Sequence, residues 1–305
     1  PLRTTKQSDP PGDQPASEDT SGHMRAKSRD YCAYPQMLAI QGKKDPLTGN
    51  IPLCPLTNFD CEIIAETTRD DGSGALRKVF DLRATVAGTP VECPVPAEDF
   101  SAMHWVTKHL GARAIVMAGQ GLRDHARAAI QTLSHHIAQR YVFEHTGWRP
   151  LSDGRGVYLH AGGALTADDL RTDITVELPG ALQRYRLPPP PSREALRTAM
   201  QRSLALRDLL DEGAMTALLG GTYLAPLRPF LLPADPPDFV LWSYGPTGAF
   251  KSETAALCLN HYGPDFGGKT LPGSFVATAN ALERLCFATK NALLVVDDFH
   301  PATNR

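Results

Sequence analysis

Two short motifs contain the residues of this chain that are best suited to chemistry. The first is a glycine-containing loop that ends in a lysine and a serine, and its residues are Gly245, Pro246, Thr247, Gly248, Ala249, Phe250, Lys251 and Ser252. The second is an apolar run, residues 291–296, that ends in Asp297 and Asp298. A loop of the first kind cradles phosphates, and an acidic strand end of the second kind holds their Mg²⁺. The pair predicts a binding site for ATP and Mg²⁺.

Each polar side chain of these motifs has an expected role. Lys251 is expected to reach the β- and γ-phosphates, and Ser252 to coordinate Mg²⁺. Asp297 is expected to bind the Mg²⁺ shell, directly or through water. Asp298 occupies the position of a carboxylate that orients or activates the attacking water. The predicted catalytic residues are therefore Lys251 and Asp298, and the predicted metal ligands are Ser252 and Asp297.

The setting of the loop agrees with this prediction, with one departure. Residues 239–242 are apolar and predict a buried strand, while residues 251–259 have the apolar spacing of a helix. The departure is Phe250, because the usual pattern has glycine there so that the backbone can approach the phosphates. We expect Phe250 to adopt helical dihedrals with its ring turned away, while Gly248 takes the unusual dihedral. ATP binding is then expected to survive.

A second loop competes for the same assignment. Residues 263–270 match the G-x4-G-K-[ST] pattern letter for letter, with Lys269 and Thr270 in the key positions. They follow a predicted helix rather than a strand, and Pro272 argues against a helix immediately after Thr270. The sequence therefore favours the imperfect loop over the perfect one.

The composition describes a globular chain without a strong electrostatic field. Its 305 residues include 31 basic and 33 acidic ones, which gives a net charge of −2. This balance gives no general attraction for nucleic acid, so a DNA contact would need a local patch. Six dispersed cysteines indicate free thiols in a reducing cytoplasm, either as small core residues or, for the four before residue 94, as zinc ligands. No apolar run could span a membrane and no secretory signal is visible, which predicts a cytoplasmic protein without a membrane partner.

Hydrophobic periodicity outlines the remaining elements. The predicted strands, of which the first two form a hairpin, lie at 62–69, 78–86, 91–95, 141–143, 156–160 and 174–178. The predicted helices lie at 96–110, 122–141, 193–212, 213–223 and 279–288. Ser192 and Thr278 are predicted N-caps, because their side chains can accept from the first free amide groups of a helix.

Several blocks resemble a known family. Residues 141–149, Tyr-Val-Phe-Glu-His-Thr-Gly-Trp-Arg, followed by residues 157–164, resemble the Gly-Trp block and the glycine-containing strand of the domain of unknown function 927. Residues 218–231 resemble the helical segment that leads into the P-loop of that family. The blocks that resemble its ATP-binding proteins from actinobacteria and mobile elements are residues 245–253, 271–274 and 278–283.

The resemblance, over about residues 60–305, implies an ATPase core like those of helicases. Some members of the family belong to primase–helicase proteins of plasmids, phages and integrative elements, so DNA is implied as a partner. The implied functional residues are Lys251, Ser252, Asp297 and Asp298. A homo-oligomeric ring is a further expectation, because P-loop motors usually place the nucleotide between subunits. Trp148 of the Gly-Trp block is either a binding residue or a structural one.

The predicted fold is an α+β N-terminal domain followed by the first part of an α/β P-loop NTPase domain, of the RecA or AAA+ type and incomplete at the C-terminus. The predicted divisions are a disordered tail (1–30), an α+β domain like that family (31–187), a Pro-rich spacer with a helical lead-in (188–237) and the NTPase part (238–305).

The leading hypothesis for function is an ATP-binding and ATP-hydrolysing module of a DNA-processing protein, associated with a helicase or primase of a mobile element. One alternative is a module that senses ATP without hydrolysing it, or a vestigial P-loop that serves an interaction. A third is a DNA-binding scaffold built on the N-terminal domain, against which the near-neutral charge argues.

Overall fold

The computed structural model describes residues 25–27, 30–151, 154–231 and 238–299. Packing divides the chain into two units. The first consists of Pro1–Ile64, Leu82–Cys93 and Asp99–His136, and the second of Ala65–Asp81, Pro94–Glu98 and Ile137–Arg305. The predicted domain limits stay a prediction. Most of the expected disordered tail, residues 1–30, lies outside the described residues.

The first unit contains a four-stranded antiparallel sheet. Its strands, in the order in which they pair, are β1 (Ala26–Lys27), β2 (Tyr31–Tyr34), β3 (Met37–Gln41) and β4 (Leu53–Pro55). Because β1 pairs with β2, the described part of the expected disordered tail contains a strand. The apolar face of a helix packs on β2 and β3 through buried Ala126, Ala129 and Ile130.

A five-stranded mixed sheet contains the predicted hairpin. Its strands are β5 (Phe59–Asp70), β6 (Leu76–Val86), β7 (Thr89–Pro96), β8 (Ala138–Phe143) and β13 (Thr175–Val176), in the order β13-β8-β5-β6-β7. The hairpin and the third strand after it are confirmed. Asp70 closes the turn because its carboxylate accepts from the amide of Gly72 at 2.8 Å. β8 runs parallel to both of its neighbours, β5 and β13.

A smaller antiparallel sheet follows β8 in the second unit. Its strands are β9 (Gly147–Pro150), β10 (Gly156–His160), β11 (Gly163–Leu165) and β12 (Leu170–Arg171), in the order β12-β11-β10-β9. β10 confirms the strand that the sequence predicts at 156–160. Its centre is buried, with Val157 and Leu159 fully inaccessible.

Helices dominate the rest of the second unit. They are α3 (Arg193–Ala205), α4 (Glu212–Leu227), α5 (Lys251–Leu259) and α6 (Ala279–Ala288), which follow α1 (Ala97–Phe100) and α2 (Leu122–Leu133) in the chain. Ser192 and Thr278 are confirmed as N-caps, because their side chains accept from the amides of Ala195 and Ala281. A core of Leu182, Tyr185, Leu259, Tyr262 and Phe266 holds α5 in place.

Three predicted helices are wrong in length. The helix expected at 96–110 stops at Phe100, where the carbonyl accepts from Trp105 Nε1, and only a π-helical turn follows at Val106–Leu110. The helix expected to reach residue 141 ends at Leu133, because Ser134 takes extended backbone dihedrals (φ −88°, ψ 101°) and β8 begins soon after. α3 ends at Ala205 rather than at residue 212, and a short 3₁₀ turn, Leu206–Asp208, follows it.

The expected NTPase sheet is much smaller than predicted. Residues 239–242 form no strand, and the run at 291–298 contributes only β15 (Val296–Asp297), which pairs in parallel with β14 (Gly273–Ser274). A strand buried on both faces needs paired neighbours, and the described residues supply only this two-stranded pair. The chain is therefore a mixed α+β protein with several sheets. No helix among the described residues is long and apolar enough to cross a bilayer.

Candidate functional site

The loop at 245–250 leads directly into α5, as the sequence predicts. Phe250 is the residue that departs from the expectation, because its φ of 57° lies in the left-handed region and not in the helical one. Gly248 also has a positive φ, of 85°. The side chain of Phe250 is 72% exposed, and the expectation that its ring turns away from the nucleotide stays a prediction. The backbone therefore takes the glycine-like conformation even though the residue is phenylalanine.

Lys251 folds back over the loop. Its Nζ donates to the carbonyl of Gly245 at 2.9 Å and to the carbonyl of Pro246 at 2.8 Å. The ammonium group is therefore held at the centre of the loop, beside the first turn of α5. The first amides of a helix have no partner within it and carry partial positive charge, so this centre is suited to an anion.

The two motifs meet through their predicted metal ligands. Ser252 Oγ donates to Asp297 Oδ2 at 2.6 Å, across a large separation in sequence. The pairing of β14 with β15 places Asp297 beside Ser274, and the amide of Phe275 donates to the carbonyl of Asp297 at 2.9 Å. Asp298 is exposed, and its Oδ2 accepts from Ser274 Oγ at 3.5 Å. Ser252 and Asp297 are thus brought into direct contact, whereas Lys251 bonds the loop carbonyls and Asp298 contacts Ser274.

The chemistry of Ser252 and Asp297 fits Mg²⁺. This cation prefers hard oxygen ligands and usually keeps several waters, so one hydroxyl and one carboxylate suffice beside the phosphates of a substrate. No cluster of three or more His, Cys, Asp or Glu side chains that could hold a metal occurs in the part of the chain that the structure describes. All six cysteines are free thiols, and Cys32, Cys61 and Cys93 are buried.

Aromatic side chains connect the segment before the loop to the small sheet. The ring of Trp242 lies 6.0 Å from that of Phe275 and 4.9 Å from that of Phe299, measured between centroids. Phe275 follows β14 and Phe299 follows β15. Trp242 therefore approaches the acidic strand end through its side chain, while residues 239–244 form no strand.

The Gly-Trp block supports the approach to β15, a role that sequence reasoning missed. Thr146 Oγ1 donates to the carbonyl of Lys290 at 3.0 Å, and the amide of Trp148 donates to Asn291 Oδ1 at 3.2 Å. The backbone of Gly147 lies so close that a Cβ would sit 2.3 Å from the carbonyl of Lys290. Position 147 therefore needs glycine, because the two backbones approach closely there. The glycine of the Gly-Trp block is the one sign of this contact in the sequence.

Two tyrosines continue this support towards Asp297. Tyr158 OH donates to the carbonyl of Asn291 at 2.7 Å, and Tyr185 OH donates to the carbonyl of Leu293 at 2.8 Å. Burial raises the pKa of both hydroxyl groups, so both remain protonated donors. Trp148 itself donates from Nε1 to the carbonyl of Pro226 at 2.8 Å and packs on Tyr158, which is a structural role.

A buried carboxylate anchors the hairpin turn near this block. Asp70 is fully buried and accepts from Tyr141 OH at 2.8 Å and from Arg149 at 2.6 Å. Burial alone would raise the pKa of Asp70, but the hydrogen bonds from Tyr141 and Gly72 and the charge of Arg149 outweigh it, and the pKa lies below its usual value. His145 stays neutral because burial lowers its pKa.

The competing loop at 263–270 uses its polar groups internally. The amide of Phe266 donates to Asn260 Oδ1 at 3.1 Å, that of Gly267 to Thr270 Oγ1 at 2.9 Å and that of Gly268 to Glu253 Oε2 at 3.2 Å. No helix follows Thr270, because β14 begins three residues later. The amides of residues 266–268 are therefore already bonded within the protein, and the loop has no helix after it to receive a phosphate.

Comparison of the sequence with models of known protein families gives no match, and no curated protein matches it either. The resemblance to the domain of unknown function 927 accordingly rests on the residues quoted above and stays a prediction.

Proposed function

We propose that this chain binds Mg-ATP at the loop of residues 245–252. The observation that carries the proposal is the 2.6 Å contact between Ser252 Oγ and Asp297 Oδ2 at the first turn of α5. A serine at the start of a helix and a carboxylate at a strand end are the two protein groups that share Mg²⁺ in P-loop proteins. Their direct contact supports a preformed site for that ion.

The residues of the chain divide the work as follows. Lys251 would leave the carbonyls of Gly245 and Pro246 and neutralise the charge of the β- and γ-phosphates. The free amides of the first turn of α5 would donate to phosphate oxygens. Mg²⁺, held by Ser252 and Asp297, would supply electrostatic stabilisation of the phosphates. Asp298 would orient the water that attacks the γ-phosphorus, with ADP as the leaving group.

We further propose, from the resemblance alone, that the module belongs to a DNA-processing helicase or primase-associated protein of a mobile element, with a homo-oligomeric ring as its assembly. The cytoplasm is the compartment that fits the free thiols. The net charge of −2 gives no independent support for DNA binding.

A second candidate is an ATP sensor that does not hydrolyse the nucleotide. Two observations favour it: Phe250 occupies a left-handed conformation beside the phosphate site, and the carboxylate of Asp298 accepts from Ser274. ATPase turnover of the wild type and of Asp298→Asn separates the candidates. An active wild type with an impaired variant supports hydrolysis, whereas tight binding with no turnover supports the sensor.

Titration calorimetry of Mg-ATP with two matched lysine variants tests the site. Lys251→Ala is expected to weaken binding about tenfold to a hundredfold, because a charge-assisted contact to phosphate is lost. Lys269→Ala, in the competing loop, is the control and is expected to leave the affinity unchanged. Unchanged affinity in a folded Lys251→Ala protein, or a loss in Lys269→Ala, would contradict the proposed site.

A further inference from the structure

A cavity of about 1030 Å³ lies apart from the ATP site, within the second unit. Its wall is formed by the β5–β6 hairpin, the segment after β8, residues 176–179, residues 183–186 and the last turns of α6. A volume of this size is at the upper end for small-molecule sites and far exceeds that of an inorganic ion. None of residues 245–252 lines it, so a ligand here would be additional to ATP at the loop.

Arginines and carboxylates line this cavity unequally, with four arginines and three carboxylates. Arg69 and Arg77 share the carboxylate of Glu144, each contacting a different oxygen, and Arg69 also contacts Glu177 at 2.8 Å. These two arginines are therefore largely neutralised by protein carboxylates. The remaining two, Arg186 and Arg284, decide the charge that an incoming ligand would meet.

Arg186 and Arg284 both have guanidinium groups available. Within the described ranges, Arg186 has one weak side-chain hydrogen bond, to the carbonyl of Ala161 at 3.5 Å. Arg284 makes no ion pair with any residue in the described ranges, and both side chains belong to exposed residues. A guanidinium group presents a fork of donors that matches phosphate oxygens, and two of them at one cavity favour a phosphate group over a single carboxylate.

The same cavity has an apolar wall. Val176 and Leu178 form one part of it, and Phe287 and Ala288 at the end of α6 form another. The ring of Phe287 is 44% exposed, and Lys290 Nζ lies 4.0 Å from its centroid. An exposed aromatic ring next to cations suits a planar, electron-rich group such as a nucleobase.

We infer that this cavity binds a nucleoside monophosphate, with its phosphate on Arg186 and Arg284 and its base against Phe287. The cavity volume, the two available guanidinium groups and the exposed ring meet the three needs of that ligand class. The inference does not depend on ATP binding at residues 245–252.

Equilibrium binding of AMP to the full chain tests this inference. Arg284→Ala and Arg186→Ala are each expected to weaken AMP binding about tenfold or more, because each loses a charge-assisted contact to phosphate. Arg197→Ala and Arg202→Ala on the exposed face of α3 are the matched controls and are expected to leave the affinity unchanged. Thermal melts verify that each variant is folded.

Two further measurements make the outcome specific. Lys251→Ala is expected to bind AMP as the wild type does, because that lysine serves the β- and γ-phosphates that AMP lacks. Adenosine and inorganic phosphate are each expected to bind at least tenfold more weakly than AMP, because each uses half of the site.

The inference is overturned if the wild type does not bind AMP, if both arginine variants bind it normally, or if Lys251→Ala abolishes its binding. Failure of the ATP site is recognised separately, as Mg-ATP affinity that Lys251→Ala does not change.

Discussion

The loops at 245–252 and 263–270 both begin with Gly-Pro and end in a lysine followed by a hydroxyl residue, but they differ in structure. In the first, Lys251 lies over loop carbonyls and Ser252 reaches Asp297 at 2.6 Å. In the second, the amides of residues 266–268 all donate to side chains of the chain itself. The loop that matches the phosphate-binding pattern letter for letter is a packed turn, and the imperfect one keeps the geometry of a ligand site.

This difference shows that the surroundings of a glycine determine whether it is needed for its small size or for its backbone conformation. Gly263 lies against the backbone at 184–186, where a Cβ would be 1.9 Å from the carbonyl of Arg184. Gly248 has no atom within 4 Å of such a Cβ, but its φ is 85°. The first glycine is needed for space, and the second is needed for conformation.

Replacing each glycine by alanine should give the largest contrast. Gly263→Ala is expected to destabilise the protein by about 3 kcal/mol or more, because packed backbone must shift. Gly248→Ala is expected to cost only about 1–2 kcal/mol, the strain of a left-handed alanine. Urea denaturation of both variants and of the wild type measures the difference. Equal costs would mean that the second loop is not packed as described.

Acid should weaken the backbone that supports the second loop. His160 is buried, and its Nδ1 accepts from the amides of Gly162 at 3.1 Å and Leu187 at 3.2 Å, next to the segment on which Gly263 packs. Burial, with a contribution from the charge of Arg186, lowers the pKa of His160 to about 4. The unfolded chain, with a pKa of about 6.5, therefore binds a proton first as the pH falls.

The sign follows from that depressed pKa. The stability that neutral His160 contributes is complete above about pH 6.5 and is lost progressively towards pH 4, by an amount on the order of 3 kcal/mol. Urea denaturation at several pH values measures the slope, and His160→Gln, which cannot titrate, should flatten part of it. The remainder includes His145, whose pKa is also lowered by burial. An unchanged slope in His160→Gln would refute the assignment.

Local signals in the sequence predicted much of this architecture. The hairpin followed from alternating residues around the turn 70–74, and the caps of α3 and α6 followed from Ser192 and Thr278, since a cap depends on a few neighbouring residues. α2 ended early at Ser134, which has extended dihedrals and whose hydroxyl accepts from the amide of Ile63, a tertiary bond that no local pattern reveals.

The candidate site was predictable to the same degree. The spacing of Lys251 and Ser252 located the loop, and the apolar run located Asp297. The prediction of a strand at 239–242 was wrong, because the pairing of a strand depends on neighbouring strands far away in sequence. The support from Thr146, Tyr158 and Tyr185 was not predictable, because hydrogen bonds to backbone carbonyls leave no pattern in the sequence of the acceptor.

The contact between Ser252 and Asp297 can be measured by a double-mutant cycle on Mg-ATP affinity. Ser252→Ala and Asp297→Asn are each expected to weaken binding, and the two effects should be non-additive by about 1–2 kcal/mol because the groups act on one ion. Lys269→Ala with Asp297→Asn is the control pair and should be additive, since Lys269 belongs to the competing loop and takes no part in the proposed Mg²⁺ site. Additive effects in the first pair would mean that the 2.6 Å contact has no part in binding.

The smallest expected effect is at Phe250, the residue that separates the imperfect loop from the perfect one. Its φ of 57° costs a phenylalanine about 1–2 kcal/mol, and its exposed ring recovers little of that by burial. Glycine removes the strain but adds about 0.5–1 kcal/mol of unfolded-state entropy. Phe250→Gly should therefore stabilise the fold by less than about 1 kcal/mol.

Phe250→Gly should also leave Mg-ATP affinity equal or higher, because the loop already has the glycine conformation. Scanning calorimetry measures the stability of the variant, and titration calorimetry measures its affinity for Mg-ATP. Phe250→Ala is the control that keeps the strain. A drop in affinity on Phe250→Gly would mean that the ring itself contacts the nucleotide.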